Sequence, residues 1–125
     1  MSYARIRISW PTGSAGAMLE DTPNARSLVA ALPVTARAQT WGDEVYFEIP
    51  VKAKLEPGAT QVVPAGTVCF WVEGSSLALP FGRTPISEGA QPKLVTRCNL
   101  LGKLDGDPRQ LASVRAGDPV TVSLE

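Results

Sequence analysis

The residues able to do chemistry in this chain gather in two short runs, Trp41-Gly42-Asp43-Glu44-Val45-Tyr46-Phe47 and Phe81-Gly82-Arg83-Thr84-Pro85. Each joins aromatic bulk to a glycine and to charge. Period-two alternation puts Glu44, Tyr46 and Glu48 on one side of a strand and Phe47 on the other. A third run, Cys69-Phe70-Trp71-Val72, separates Phe70 from Trp71 in the same way. One aromatic of each pair therefore faces the core, and the other faces out or into a groove. Arg83 offers a rigid fork of donors for a carboxylate, a phosphate or a peptide carbonyl. Thr84 precedes a proline, which favours extended backbone and turns its hydroxyl outward. These types describe a binding site of Trp41, Glu44, Tyr46, Trp71, Phe81, Arg83 and Thr84, an aromatic groove with Arg83 as its anchor. A plain exposed loop, with Arg83 paired to a nearby carboxylate and Asp43 serving as a turn residue, explains the same residues.

Several chemistries are excluded or disfavoured. The chain has no histidine, so Ser–His and Cys–His nucleophilic devices cannot be built. Any acid–base work must fall to carboxylates, Lys, Tyr or a thiol, which weighs against an enzyme without removing the option. The two cysteines, Cys69 and Cys98, lie inside apolar strand-like runs and read as buried thiols, with a disulfide between neighbouring strands as the alternative. Without a CxxC spacing they cannot supply a zinc shell. Asp105-Gly106-Asp107 has too few oxygen ligands for a calcium loop and reads as a turn and a helix cap. No metal or cofactor is expected. Twelve basic residues balance twelve acidic ones without a basic run, so no nucleic-acid partner is expected. No apolar stretch has the length of a signal peptide or a membrane helix, and the cytoplasm is the expected location.

The chain of 125 residues reads as one domain, residues 1–125, able to bury a core without staples. Tyr3–Ser9 alternates as an amphipathic strand, and the turn chemistry of Trp10–Gly16 leads into a short strand, Ala17–Glu20. A helix follows over Pro23–Leu32, with Thr22 as cap, Pro23 at its first position and Pro33 as its stop. Its apolar positions Ala25, Leu28, Val29 and Leu32 share one face. Val34–Thr40 and Glu44–Pro50 read as a hairpin, and Lys52–Gln61 as loop. Thr67–Val72, Leu77–Phe81, Leu94–Leu104 and Pro119–Leu124 read as strands, with a second helix near Pro108–Val114. Gly82–Pro92 is a long loop of the kind that carries function.

Taken with the strand Cys69–Val72, the two motif runs resemble the cyclophilin-like domain family of small bacterial and archaeal proteins. The resemblance spans nearly the whole chain. It implies a mainly β fold, a closed antiparallel barrel of about eight strands with two short helices. It implies no activity, since the family has no settled one. True cyclophilins carry Phe-His-Arg and Phe-x-x-Gln phrases that are absent here, so their isomerase residues do not transfer. A peptidyl-prolyl isomerase, which the likeness in fold suggests, is the second reading, and related barrels in amide-hydrolysing and carboxylating enzymes suggest a third, an accessory subunit or a hydrolase without histidine. The expectation is a binding or interaction module for a small molecule or a peptide. An exposed edge or aromatic face could also join copies of the chain.

Overall fold

A computed structural model describes residues 2–125. Ten strands, β1 (Ser2–Trp10), β2 (Gly13–Glu20), β3 (Val34–Arg37), β4 (Gln39–Thr40), β5 (Glu44–Glu48), β6 (Thr60–Val62), β7 (Thr67–Trp71), β8 (Ser76–Pro80), β9 (Lys93–Leu104) and β10 (Pro119–Leu124), form one antiparallel sheet. Its order is β3-β10-β1-β2-β9-β7-β8-β5-β4, with β6 paired onto β9. The helix α1 (Pro23–Ala31) starts where expected, since the Thr22 hydroxyl accepts the Ala25 N–H at 3.1 Å. The second helix is a 3-10 turn, Pro108–Ser113, capped by Asp107. Among the described residues no helix is long and apolar enough to cross a membrane.

The expected closed barrel is not formed. Its two ends, β3 and β4, are one stretch of chain that alternates without a break from Val34 to Thr40. The ladder to β5 nevertheless has only two rungs, Gln39↔Tyr46 and Thr40↔Val45. Beyond them the arms splay, because Ala38 belongs to the other end of the sheet. Its N–H donates to the Asp118 carbonyl at 2.8 Å, and its carbonyl accepts from the Gly117 N–H at 2.8 Å. The same pull seats Val34–Arg37 on β10. Phe47 and Glu48 are left across a cleft from β3 rather than paired to it, and the cleft measures about 630 Å³. The sheet is thus an open strip whose two ends face each other across this cleft without a ladder between β3 and β5.

Alternation assigns each strand two faces. On one, Ile6, Ile8, Leu19, Phe47, Phe70, Leu79 and Leu101 form the main core with Leu28 of α1, which is fully buried. On the other, Cys69, Ala78, Leu94, Cys98 and Val63 form a second, smaller core. Two features hold the register that creates this second face. Gly102 lets β9 run against the backbone of β2, where a side chain would collide with the Met18 carbonyl. Beside it a bulge shifts the β7–β9 pairing from Val68↔Gly102 to Cys69↔Leu100. The buried Asn99 side chain ties the 54–56 segment beneath α1, donating to Asn24 and the Lys54 carbonyl and accepting the Glu56 N–H.

Candidate functional site

The two motif runs, forty residues apart in sequence, are bonded to each other. The Phe81 N–H donates to the Asp43 carbonyl at 2.8 Å, and the Asp43 N–H donates to the Arg83 carbonyl at 2.9 Å. These bonds extend the β5–β8 ladder past Glu44↔Pro80. Gly42, at φ +59, sits so close to Pro85 and the Arg83–Thr84 backbone that no side chain fits there.

Glu44, Tyr46, Ala78, Cys69 and Trp71 share the outer face. The register sets Tyr46, Ala78 and Cys69 in a row across β5, β8 and β7. Over this row lies a pocket of about 170 Å³, walled by Trp41, Tyr46, Trp71, Leu94, Val95 and Cys98 with Glu44 at one side. Tyr46 and Trp71 meet edge to face, centroids 6.2 Å apart and planes at 83°. Trp41 is positioned by its own N–H, which donates to the Glu44 carbonyl at 3.0 Å.

Glu44 is the anomaly of this pocket. It is 5 % exposed, and its Oε1 has neither solvent nor a hydrogen-bond partner. Burial pushes its carboxyl up from 4.5 to about 7, because an apolar surrounding disfavours the charged form. Both thiols are also shifted upward, first by burial. Cys98 is pushed to about 12, with the charges of Glu44 and Glu73 adding to the effect. Cys69 is raised as well, with Cys98 and Glu44 contributing after burial. Both cysteines are free. Among the described residues no three of Cys, Asp and Glu are grouped to hold a metal ion.

Four of the seven residues named from sequence, Trp41, Glu44, Tyr46 and Trp71, thus line one pocket. The structure places the other three elsewhere. Phe81 is buried in the main core, with the Arg109 guanidinium 5.3 Å from its ring centroid and bonded in turn to Asp43. The Arg83 guanidinium donates to the Ser87 carbonyl at 3.0 Å and is not part of the pocket wall. Thr84 is buried, its hydroxyl donating to the Lys93 carbonyl and its N–H to the Ser87 hydroxyl. Arg83 and Thr84 brace the loop between β8 and β9. The pocket also takes in Cys98, Leu94, Val95 and Ala78, which the sequence alone does not single out. Strand parity was the available signal, but it needs the β7–β9 register to put Cys98 beside Trp71.

Comparison with known proteins gives a consistent placement. No protein of curated function matches the chain. The solution structure of a hypothetical protein from Archaeoglobus fulgidus superposes with a TM-score of 0.83 at 31% identity, covering 98% of this chain and 95% of that one. The profile of the cyclophilin-like family matches residues 4–123. The alternating strands, the paired motif runs and these matches agree, and the chain belongs to the cyclophilin-like family.

Proposed function

We propose that the protein binds a small, flat, largely apolar molecule carrying an N–H donor, in the outer-face pocket. The observation that supports this is the buried, unpartnered Oε1 of Glu44. A buried acceptor without a partner costs about 1–3 kcal/mol, and a ligand N–H at that atom would recover much of it. The aromatic walls fit the same reading, since rings gain from edge and face contacts with Trp and Tyr. A cavity of about 150 Å³ is known to hold a benzene ring, so 170 Å³ suits a single or fused ring. In this reading Glu44 replaces Arg83 as the polar anchor, and a peptide would enter only through one such side chain.

The test is a screen of uncharged heterocycles and capped peptides by thermal shift and tryptophan fluorescence. Binders should share a ring and an N–H, quench Trp41 and Trp71, and weaken at least about tenfold in Glu44→Leu, which removes the acceptor, the equivalent of about 1.4 kcal/mol. Arg83→Ala should leave their affinity unchanged. Hits that ignore Glu44, or that depend on Arg83, would refute this assignment of the site.

A further inference from the structure

The placement of Glu44 has a chemical consequence beyond binding. Its backbone is held on both sides, by the Trp41 N–H on its carbonyl and by the ladder to β8. The carboxyl is therefore presented to the pocket from a fixed stretch of backbone. A carboxylate in such a place lacks the water that would stabilise its charge, and taking a proton relieves it. The titratable groups around it are few. Tyr46 shares its strand, Cys69 and Cys98 approach from β7 and β9, Glu73 beyond the end of β7 acts on Cys98, and Asp43 is paired with Arg109 at 3.1 Å. No Lys or Arg lines the cavity, so no cation holds Glu44 as a carboxylate. Both thiols stay protonated near neutral pH.

Resting on the binding reading above, we propose that this pocket is a proton-transfer site. Glu44 acts there as the catalytic base toward small, flat heterocyclic carbon acids held against Trp41, Tyr46 and Trp71. The class of reaction is elimination or tautomerisation started by removal of a ring C–H. It needs no metal, oxidant or co-reactant. The C–H proton passes to Glu44, and the freed electron pair forms a new π bond. An adjacent N–O bond breaks in an elimination, or a ring heteroatom is reprotonated in a tautomerisation. Glu44 then returns its proton to water or to the product. Desolvation strengthens the base, because an ionised carboxylate without water accepts a proton more readily. Ionisation near pH 7 keeps a large fraction in the base form at neutral pH.

Nitrobenzisoxazole is the probe. Its ring carbon loses a proton, the N–O bond breaks, and the coloured cyanonitrophenolate is released. The wild-type protein should exceed free acetate at equal concentration by at least about a hundredfold per carboxylate, the lower end of general-base contributions. The rate should rise with pH through one ionisation near 7. Glu44→Gln should lose the acceleration, and Glu44→Asp, with its base drawn back by one methylene, should lose most of it. Glu48→Gln, on the same strand face but outside this pocket, should keep it. Circular dichroism of each variant separates loss of the base from loss of the fold. Quenching of Trp41 and Trp71 by the probe without turnover would overturn the proposal; the probe offers Glu44 a C–H and no N–H, so the N–H selectivity of the binding reading is decided by its own screen. Turnover that survives Glu44→Gln would overturn it as well. Absence of both quenching and turnover would also refute it, and the binding reading would then stand or fall on its own screen.

Discussion

Replacing Glu44 by Gln should make the protein more stable in neutral and alkaline solution, and the size of the gain can be worked out. Burial lifts the Glu44 carboxyl from 4.5 to about 7, so the folded chain holds this proton more tightly than the unfolded chain does. Folding has the full benefit below pH ~4.5, loses it as pH rises to ~7, and stays at the lower level above that. A difference of ~2.5 pK units at ~1.4 kcal/mol each gives a loss of about 3 kcal/mol. Glutamine has nearly the shape of a protonated glutamate and cannot ionise. The two proteins should therefore be about equally stable at pH 4.5, and the variant should lead by about 3 kcal/mol at pH 8. In a chain of this size that is a rise in Tm on the order of 10 °C. Asp21, Glu88 and Glu125 are held low by Arg26, Lys93, and Arg5 with Arg7, so both proteins weaken in acid for reasons unrelated to Glu44. The difference between the two, from urea titrations at matched pH, removes that background. A difference that stays constant from pH 4.5 to pH 8 would show that Glu44 reaches water, and the site reading would fail with it.

Other outcomes follow from the packing. Leu28→Ala should cost about 2–5 kcal/mol, because Leu28 is fully buried under α1 and its removal leaves a cavity; a change within about 0.5 kcal/mol would mean that the helix face is not a core face. Gly102→Ala should be more damaging than an ordinary strand substitution, since the added methyl meets the Met18 carbonyl and the Leu19 Cα. An unchanged urea midpoint would contradict the close approach of β2 and β9. The native thiols should react with iodoacetamide at pH 8 roughly a thousandfold more slowly than free cysteine, because the thiolate is the nucleophile and Cys98 is pushed up to about 12. Labelling within tenfold of free cysteine would show an open second core. A protease-coupled assay should show no proline isomerisation above background, and turnover at catalytic protein levels would require a device that true cyclophilins do not use.

What the sequence revealed of the site is local, and what it hid is long-range. Alternation in Glu44–Glu48 and Cys69–Trp71 was enough to part Phe47 from Tyr46 and Phe70 from Trp71, but not to say which of each pair is core; the packing puts Phe47 and Phe70 in the main core and Tyr46 and Trp71 on the outer face. The caps at Thr22 and Asp107 were equally plain, because each acts on N–H groups two or three residues away. Composition could not show what Arg83 bonds to, since Ser87 was as available to it as any ligand. Nor could the alternation of Val34–Thr40 reveal the break at Ala38, which comes from backbone partners eighty residues on, at Gly117 and Asp118. Strand β6 begins inside the Lys52–Gln61 segment that reads as loop and runs one residue past it, and only its pairing with β9 makes it a strand. The resemblance to closed barrels supplied the ring that these particular contacts undo.

That break also decides how the molecule comes apart. A closed hoop of strands cannot release one member without losing two ladders at once. An open strip can peel from its ends, one ladder at a time. Here β4 is held by only two residue pairs and β3 by four, against eight between β1 and β2. Amide protons of 34–40 should therefore exchange with solvent through small local openings, while those of β1, β2 and β9 wait for global unfolding. The pocket wall shares this fate at one end only. Tyr46 pairs with Gln39 across the weak ladder and with Ala78 across the strong one. The side of the site next to the seam can loosen to admit a ring, while the side that holds Trp71 and Cys98 stays put.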